Sequence, residues 1–245
     1  MACIYLSPSG QQFNKFLNGG TEEYFCNLVA DEMAPYLNAS SICYGRNRPW
    51  MTAQQSADNA NIFNFDAYLA IHTNASAGEL SGLVRGCDIY YYPSSALGRR
   101  YAQITAAYYR TIYPLPSRVN IIPLETLIEL NKTRAPAILV ECGYHDNAED
   151  EAWLKANVRS IARVLTQATA EFVGVPFVQP QALVPLRIST SGSGVNIRLF
   201  PSSDAPVIGQ AANGSVISAR CLCRGWYLLE NGGYISAPYA VPFDR

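Results

Sequence analysis

The sequence predicts an α/β domain of three layers, with a mostly parallel sheet flanked by helices, and a smaller β-domain after it. Over residues 1–173, short apolar runs alternate with segments of helical period, which is typical of parallel sheets. Over residues 174–185 the periodicity stops and several prolines occur, as in a semi-rigid linker. Residues 186–245 contain short strand-like runs separated by turns rich in Gly, Asn and Ser, which predicts a small β-barrel.

The elements of the first domain follow from periodicity and from capping residues. The first long helix begins near Thr21, a side chain suited to capping, and the last helix has apolar residues at alternating spacings of four and three. Strands are predicted at residues 4–6, 40–44, 67–73, 88–93 and 135–141, and helices at residues 21–37, 54–61, 97–112 and 154–172.

Composition excludes several classes of function. The 18 Lys and Arg residues against 19 Asp and Glu residues give a net charge of −1, so no basic surface for nucleic acid is indicated. No apolar run approaches the roughly 20 residues that a membrane-spanning helix needs, so no membrane insertion is expected. The first ten residues lack the basic and apolar segments of a secretion signal, and we expect synthesis in the cytoplasm.

Seven cysteines occur, an odd number, without the spacing of a zinc ribbon. Those at positions 3, 26, 43 and 87 lie in apolar runs, where a cysteine commonly packs as a small buried hydrophobe. We therefore expect free thiols and a reducing compartment rather than disulfides.

Two side chains capable of chemistry end apolar strands. His72, one of two histidines in the chain, closes the predicted strand 67–73, and Glu141 closes the predicted strand 135–141. The carboxyl ends of parallel strands meet at one edge of the sheet, where α/β proteins bind ligands. A carboxylate there is costly unless it is paired, solvated or bound to a metal, although each residue taken alone can be an ordinary rim residue.

The first long helix adds a second carboxylate, that of Glu22. On a wheel of 100° per residue, Phe25, Val29 and Met33 define the buried stripe, and Glu22 lies at its centre. Glu23 is rotated by about 100° and is expected to face water. An inward carboxylate beside a strand-end histidine suits a metal site, and the alternative is a carboxylate favoured by the helix dipole.

Together, Glu22, His72 and Glu141 indicate a zinc hydrolase site. Carboxylates and neutral imidazoles are ordinary ligands of Zn²⁺, which polarises a carbonyl and lowers the pKa of its bound water toward ~7. A carboxylate outside the ligand set can then carry a proton from that water to the leaving amine. These residues predict metal-assisted hydrolysis and leave the substrate open.

Two segments resemble the zinc-dependent N-acetylmuramoyl-L-alanine amidases of the Amidase_3 type, found in bacterial cell-wall hydrolases and phage endolysins: HTNA, from His72, and ECGYHDN, from Glu141. The resemblance covers about residues 2–173 and includes the order of the motifs. It implies that Glu22 and His72 bind a single zinc ion and that Glu141 is the catalytic carboxylate. The implied substrate is peptidoglycan, cut at the amide between the lactyl group of N-acetylmuramic acid and the L-alanine of the stem peptide.

One position departs from that family. Its members usually carry a first metal-binding histidine in a Gly-His-Gly turn after the first strand, whereas residues 7–12 read SPSGQQ. His145, on the same rim loop as Glu141, is the first candidate for the third metal ligand, and Gln11 is the second, although an amide is a poor zinc ligand. His145 is equally well interpreted as a loop residue that contacts substrate or forms a hydrogen bond. If no other residue completes the site, zinc binding is weak or the protein is inactive.

The C-terminal segment has a resemblance of its own. Its VNIR, GWY and GYI motifs are similar to those of bacterial SH3-like (SH3b) domains, which commonly attach hydrolases to the cell wall. Aromatic rings can stack on sugar or pack on peptide, and the alternative, which is expected for Trp226, is that they form the barrel core. Four such residues occur here: Trp226, Tyr227, Tyr234 and Tyr239.

The sequence thus predicts a zinc-dependent peptidoglycan amidase with an SH3b-like wall-binding domain, acting at the bacterial cell wall after phage-type release or non-classical export. One rival is a Cys–His endopeptidase with Cys142 as nucleophile and His145 as base. Strand alternation argues against it, because Glu141 and Cys142 then lie on opposite faces. The other rival is a non-catalytic wall-binding protein, which the missing first histidine favours.

Overall fold

A computed structural model describes residues 2–180, 183–223 and 225–243. The chain forms two compact units, Met1–Phe177 and Val178–Arg245. The division lies within the predicted linker 174–185, after a helix that ends at Phe172 and before a strand that begins at Val184.

The first unit is a mixed α/β structure. Its described strands are β1 Cys3–Pro8, β2 Cys43–Arg46, β3 Ala67–Asn74, β4 Cys87–Tyr91, β5 Val119–Pro123 and β6 Ala137–Tyr144. Its described α-helices are α1 Glu22–Ala39, α2 Ala53–Ala60, α3 Ala96–Tyr109, α4 Ile128–Asn131, α5 Ala148–Ala156 and α6 Val158–Phe172.

The six strands form one sheet in the order β2-β1-β3-β6-β4-β5. All neighbours are parallel except β4 and β6, which are antiparallel. The predicted α/β fold with a largely parallel sheet and flanking helices is confirmed. The prediction from sequence lacks β5 and α4, because VNIIP and IELN are too short to show a period. It also lacks α5, since the predicted last helix, 154–172, is divided at Asn157 into α5 and α6.

The centre of the sheet is β3 and β6, whose near-continuous apolar runs are buried as expected for parallel strands covered on both faces. The helix α6 packs against both α1 and α3, while α2 contacts α4. From this second pair, Ala60 and Leu130 are buried against Tyr68 and Leu139 of the sheet. No helix within the described ranges is both long enough and apolar enough to cross a membrane.

The expectation of free cysteines is wrong for Cys3 and Cys43, which form a disulfide between the paired strands β1 and β2. The two residues are directly opposite in the register, with Cα atoms 4.5 Å apart, so side chains on the same side of the sheet meet. Spacing in the sequence carries no sign of this pairing, because 40 residues separate the two cysteines. Buried free thiols are present at Cys26, Cys87, Cys142 and Cys221.

The second unit is antiparallel. Its described strands are β7 Val184–Ile188, β8 Gly194–Arg198, β9 Val207–Ala212, β10 Val216–Cys223, β11 Trp226–Leu229, β12 Tyr234–Ser236 and β13 Ala240–Pro242. They form one sheet in the order β13-β7-β10-β11-β12-β8-β9, around a core that includes Leu186, Ile188, Tyr227 and Ile235. The expected sheet is thus present, and its closure into a barrel stays a prediction.

We expect the disulfide between Cys3 and Cys43 to stabilise the first unit. Replacing both residues with serine should lower the free energy of unfolding by about 2–4 kcal/mol, because the cross-link restricts the unfolded chain. Urea unfolding of the two proteins measures the difference, with reduced wild-type protein as the control. Equal stability of oxidised wild-type protein and the double variant would contradict this role.

Candidate active site

His72 lies at the carboxyl end of β3, where the sheet meets the loops. Because alternate residues of a strand share a face, Tyr68, Ala70 and His72 project to the same side of the sheet. His72 is opposite Glu141 in the register of β3 with β6, so the side chains of this pair also lie on one side. The two predicted rim residues are therefore neighbours, as the prediction requires.

Glu22 is the first residue of α1 and is buried, as its place on the helical wheel predicts. The helix starts there because the Thr21 side chain accepts a hydrogen bond from the backbone N–H of Tyr24. Oε1 of Glu22 lies 2.9 Å from Nδ1 of His72. The structure thus brings Glu22 and His72 together, whereas Glu23 is only half-buried and accepts a hydrogen bond from Gln12.

Two amide side chains from the loop between β1 and α1, those of Gln11 and Asn14, lie next to the pair formed by Glu22 and His72. Nε2 of Gln11 lies 3.4 Å from Nδ1 of His72. Nδ2 of Asn14 donates to Oε2 of Glu22 at 2.5 Å and to Oε1 of Gln11 at 3.0 Å. The turn that lacks the expected histidine therefore still places a polar side chain next to His72.

A third carboxylate, Glu129, lies on the other side of His72. Its Oε2 is 3.0 Å from Nε2 of His72, and its Oε1 accepts hydrogen bonds from Tyr68 and Ser7. Sequence reasoning missed this residue. The sequence feature that could have indicated it is an acidic residue between two apolar ones, Ile128 and Leu130, shortly before an apolar strand.

Burial and mutual charge set the pKa values in this cluster. Burial acts to raise the pKa of Glu22 and of Glu129, but hydrogen bonds and positive charge from His72 outweigh it and lower both pKa values. Burial acts to lower the pKa of His72, whereas hydrogen bonds to Glu129 and Glu22 raise it well above its usual value. In this arrangement, without a metal, the two carboxylates favour the protonated form of the imidazole.

Glu141 has the opposite electrostatic character. Burial raises the pKa of its carboxyl group to about 7, against the opposing positive charge of His72. The negative charges of Glu22 and Asp88 add to the rise. Its Oε2 is buried and has no hydrogen-bond partner among the described residues. Glu141 is thus a carboxyl group able to take up and release a proton near neutral pH.

A polar strip continues from Glu141 onto β4. Asp88 is opposite Glu141 in the antiparallel register and is buried. Its carboxylate accepts hydrogen bonds from Asn74, Asn120 and Tyr144. Sequence reasoning missed Asp88, although an acid inside an apolar strand was a usable signal.

His145 is buried and makes its described contacts elsewhere. Its Nδ1 lies 3.0 Å from Oγ1 of Thr73 and 3.2 Å from the Thr73 carbonyl oxygen, and its ring stacks on Phe16. These contacts match the alternative of a hydrogen-bonding loop residue. Across the described ranges, no group of three or more His, Cys, Asp or Glu side chains is placed to hold a metal ion.

Cys142 lies on the opposite face from Glu141, as strand alternation predicts. Its side chain is fully buried, and Sγ lies 3.8 Å from the carbonyl oxygen of Val140. Burial raises the pKa of the Cys142 thiol, which disfavours the thiolate that a nucleophile needs. The thiol enzyme is therefore not supported by the geometry.

The second unit contains a groove of about 520 Å³. Trp226 and Tyr239 line it together with Arg198, Asn196 and Gln210. The other two aromatic candidates, Tyr227 and Tyr234, are buried, as expected of core residues. Trp226, expected in the core, is half-buried and lines the groove instead.

Comparison with known proteins relates this site to one family. A family model for N-acetylmuramoyl-L-alanine amidase, Amidase_3, matches residues 9–171. The amidase AmiC2 of Nostoc punctiforme superposes with a TM-score of 0.63 at 19% identity, over 71% of this chain and 97% of that one. Ami1 of Mycobacterium smegmatis gives 0.61 at 17% identity, and an amidase of Clostridium difficile gives 0.60 at 17%, each over 71% of this chain and 97% of its own. No curated protein sequence matches the chain.

The fold and the cluster at the carboxyl edge define an α/β domain of the amidase type. Its sheet, helices and strand-end acid and histidine are those that the sequence motifs predict. Because the family model covers well over half of its length, the chain belongs to the N-acetylmuramoyl-L-alanine amidase family Amidase_3. Membership supports activity as a peptidoglycan amidase, with the cell wall as substrate.

We expect Cys142 to be unreactive in the native protein. Iodoacetamide should modify it at least about tenfold more slowly than in urea-unfolded protein, because alkylation needs an accessible thiolate. Mass spectrometry of peptides from timed samples gives both rates. Rapid native labelling of Cys142 with parallel loss of hydrolysis would instead support the thiol enzyme.

Proposed function

We propose that this protein is a zinc-dependent amidase that hydrolyses the bond between N-acetylmuramic acid and the L-alanine of the stem peptide. The observation that carries the proposal is the pairing of Glu22 with His72 directly beside Glu141. Family membership supports the substrate class, and the side chains of this chain support the metal.

The residues present fit a zinc ion on two counts. Nδ1 of His72 and Oε1 of Glu22 are both electron-rich and lie 2.9 Å apart, so a proton or a cation must separate them. In a tetrahedral site, ligand atoms about 2.0–2.2 Å from Zn²⁺ lie about 3.3–3.6 Å from each other, so these two atoms would separate by roughly 0.5 Å to hold the ion. The second count is the buried, unpartnered Oε2 of Glu141, because such an atom needs a polar group from solvent or substrate.

The proposed zinc site has two strong protein ligands, Glu22 and His72, and a weaker third one. Gln11 lies near His72, but the atom 3.4 Å from Nδ1 of His72 is its amide nitrogen, so the side chain would have to rotate to offer its oxygen to zinc. His145 is engaged by Thr73 and Phe16. Amides are uncommon zinc ligands compared with imidazole, thiolate and carboxylate. We therefore propose a site with Glu22 and His72 as main ligands, Gln11 as the leading third donor and His145 as the alternative.

A zinc ion held by Glu22 and His72 would polarise the scissile carbonyl and make a water molecule more acidic. Glu141 takes the proton as the water oxygen adds to the carbonyl carbon. Glu141 then gives that proton to the alanine nitrogen as the C–N bond breaks, leaving a lactyl carboxylic acid and a free amine, which become carboxylate and ammonium by proton exchange near neutral pH. Without metal, burial raises the pKa of Glu141 to about 7, and the positive charge of a zinc ion would lower it toward the carboxylate form that accepts the proton.

For the second unit we propose binding to the cell wall through its groove. Trp226 and Tyr239 offer ring faces, while Asn196 and Gln210 offer donors and acceptors, a combination suited to sugars and peptides. The resemblance to SH3b domains supports the same role.

The proposed site of action is the bacterial wall, outside the cytoplasm, reached by phage-type release or non-classical export. The bond between Cys3 and Cys43 supports this location, because disulfides persist in oxidising surroundings.

A non-catalytic wall-binding protein is the second candidate. Among the described residues, the absence of a group of three His, Cys, Asp or Glu ligands favours it. Metal analysis of the purified protein separates the two, because near-stoichiometric zinc supports the enzyme and its absence supports the binder.

We expect Glu141→Gln to slow hydrolysis about 10²- to 10⁴-fold while zinc stays bound, because the variant removes the proton carrier and leaves Glu22 and His72 intact. Glu22→Gln should lose zinc as well as activity. Mass spectrometry of digested sacculi detects new L-alanine amino termini, and elemental analysis measures zinc.

Glu23→Gln is the matched control for Glu22→Gln, since it changes the next residue of α1 without touching His72. It should keep both zinc and activity. Restoration of EDTA-treated wild-type enzyme by Zn²⁺ is expected as well. Full activity of Glu141→Gln would exclude the role given to that carboxylate.

For the groove, we expect replacement of both Trp226 and Tyr239 by alanine to weaken binding to purified sacculi about tenfold, a loss of about 1.4 kcal/mol. The assay sediments full-length protein with sacculi in the Glu141→Gln background, so that the substrate is not digested. Ile208→Ala is the control, because Ile208 is an exposed residue of the same unit outside the groove. Unchanged sedimentation of the double variant would remove the groove from wall binding.

A further inference from the structure

We propose that Glu129 is a positioning residue that holds His72 with Nε2 protonated, so that Nδ1 is directed at Glu22. This inference rests on the proposed zinc site and extends it by one residue. In it, Glu129 does not touch substrate or metal and acts through the imidazole.

The contacts of Glu129 are those of a fixed acceptor. Glu129 is 4% exposed, and its Oε2 lies 3.0 Å from Nε2 of His72. The other oxygen, Oε1, accepts hydrogen bonds from the hydroxyl groups of Tyr68, at 2.6 Å, and of Ser7. Each of these donors is buried. Tyr68 lies four residues before His72 in β3 and projects from the same face of the sheet.

These contacts decide the direction of the carboxylate. The hydroxyl groups of Ser7 and Tyr68 come from β1 and β3, which pair with each other in the sheet. Because both hold Oε1, Oε2 is turned toward the end of β3, where His72 lies. Although Glu129 is in the first turn of α4, its described side-chain contacts are with residues of the sheet strands β1 and β3.

Bonding to Nε2 has a consequence at Nδ1. A neutral imidazole carries one proton, and a carboxylate that accepts from Nε2 keeps the proton on that atom. The lone pair is then on Nδ1, which faces Oε1 of Glu22 and the amide of Gln11. Carboxylates that accept from the outer nitrogen of a metal-binding histidine fix its tautomer and raise its basicity, and their loss weakens metal binding about 10- to 100-fold. With Gln11 as a weak third donor, this site depends strongly on His72.

The test uses the full chain with Glu129→Gln, which keeps the size of the side chain and removes its charge. We expect zinc affinity, measured by competition with a chromophoric chelator, to fall about 10- to 100-fold. Spectra of ¹⁵N-histidine-labelled protein give a second readout without metal or activity. The chain has two histidines, so the His72 signals report the effect and the His145 signals serve as an internal reference. The Nε2–H of His72 should lose its protection from solvent exchange, while the His145 signals stay unchanged.

Tyr68→Phe and Glu32→Gln provide the comparisons. The first removes one hydrogen bond to Oε1 and should reduce zinc affinity less than Glu129→Gln does. The second makes the same substitution at a carboxylate ten residues beyond Glu22 in α1, about 15 Å along the helix, and should change neither readout.

The outcomes separate this inference from the zinc proposal. If wild-type protein binds no zinc, the zinc proposal fails and the ring-nitrogen spectrum alone decides the role of Glu129. If Glu129→Gln folds, leaves the His72 spectrum unchanged and keeps zinc affinity within twofold of wild type, the positioning role is wrong. A lower melting temperature with both readouts unchanged would equally reduce Glu129 to a structural residue.

Discussion

The imidazole of His72, held between Glu22 and Glu129, is the constraint on which the rest of the site depends. A buried carboxylate is costly unless it is paired and hydrogen-bonded, and here one ring satisfies two of them from opposite sides. The three residues come from β3, α1 and α4, so the ends of three elements must meet at one point. The loop amides of Gln11 and Asn14 complete the pairing on the Glu22 side.

Neighbouring residues of β6 project from opposite faces of the sheet, so the candidate catalytic carboxylate and the buried thiol are kept apart. Glu141 faces the side of His72, while its neighbour Cys142 enters an apolar interior with Tyr109, whose hydroxyl group donates to the Cys142 carbonyl oxygen. One strand thereby supplies a carboxyl group with a pKa near 7 and a thiol that stays protonated. This arrangement favours hydrolysis by activated water over attack by sulfur.

The departure of the first turn from the family pattern has a local compensation. Where a histidine is usual, this chain has amide side chains that bond to the Glu22 carboxylate and approach the His72 ring. Amides bind zinc less well than imidazole does, so in the proposed zinc site more of the binding would fall on Glu22 and His72. Their orientation by Asn14 and Glu129 therefore matters more here than it would in a site with three strong ligands.

The sequence by itself determined the α/β class, the inward direction of Glu22 and the placement of His72 and Glu141 at one edge, because strand and helix periods are local properties. Tertiary structure decided the contacts between distant segments. Glu129 reaches His72 across 57 residues, and the disulfide joins positions 40 apart, and neither pairing leaves a periodic trace in the chain. His145 shows the same limit, because only the folded loop places its ring against Thr73 and Phe16.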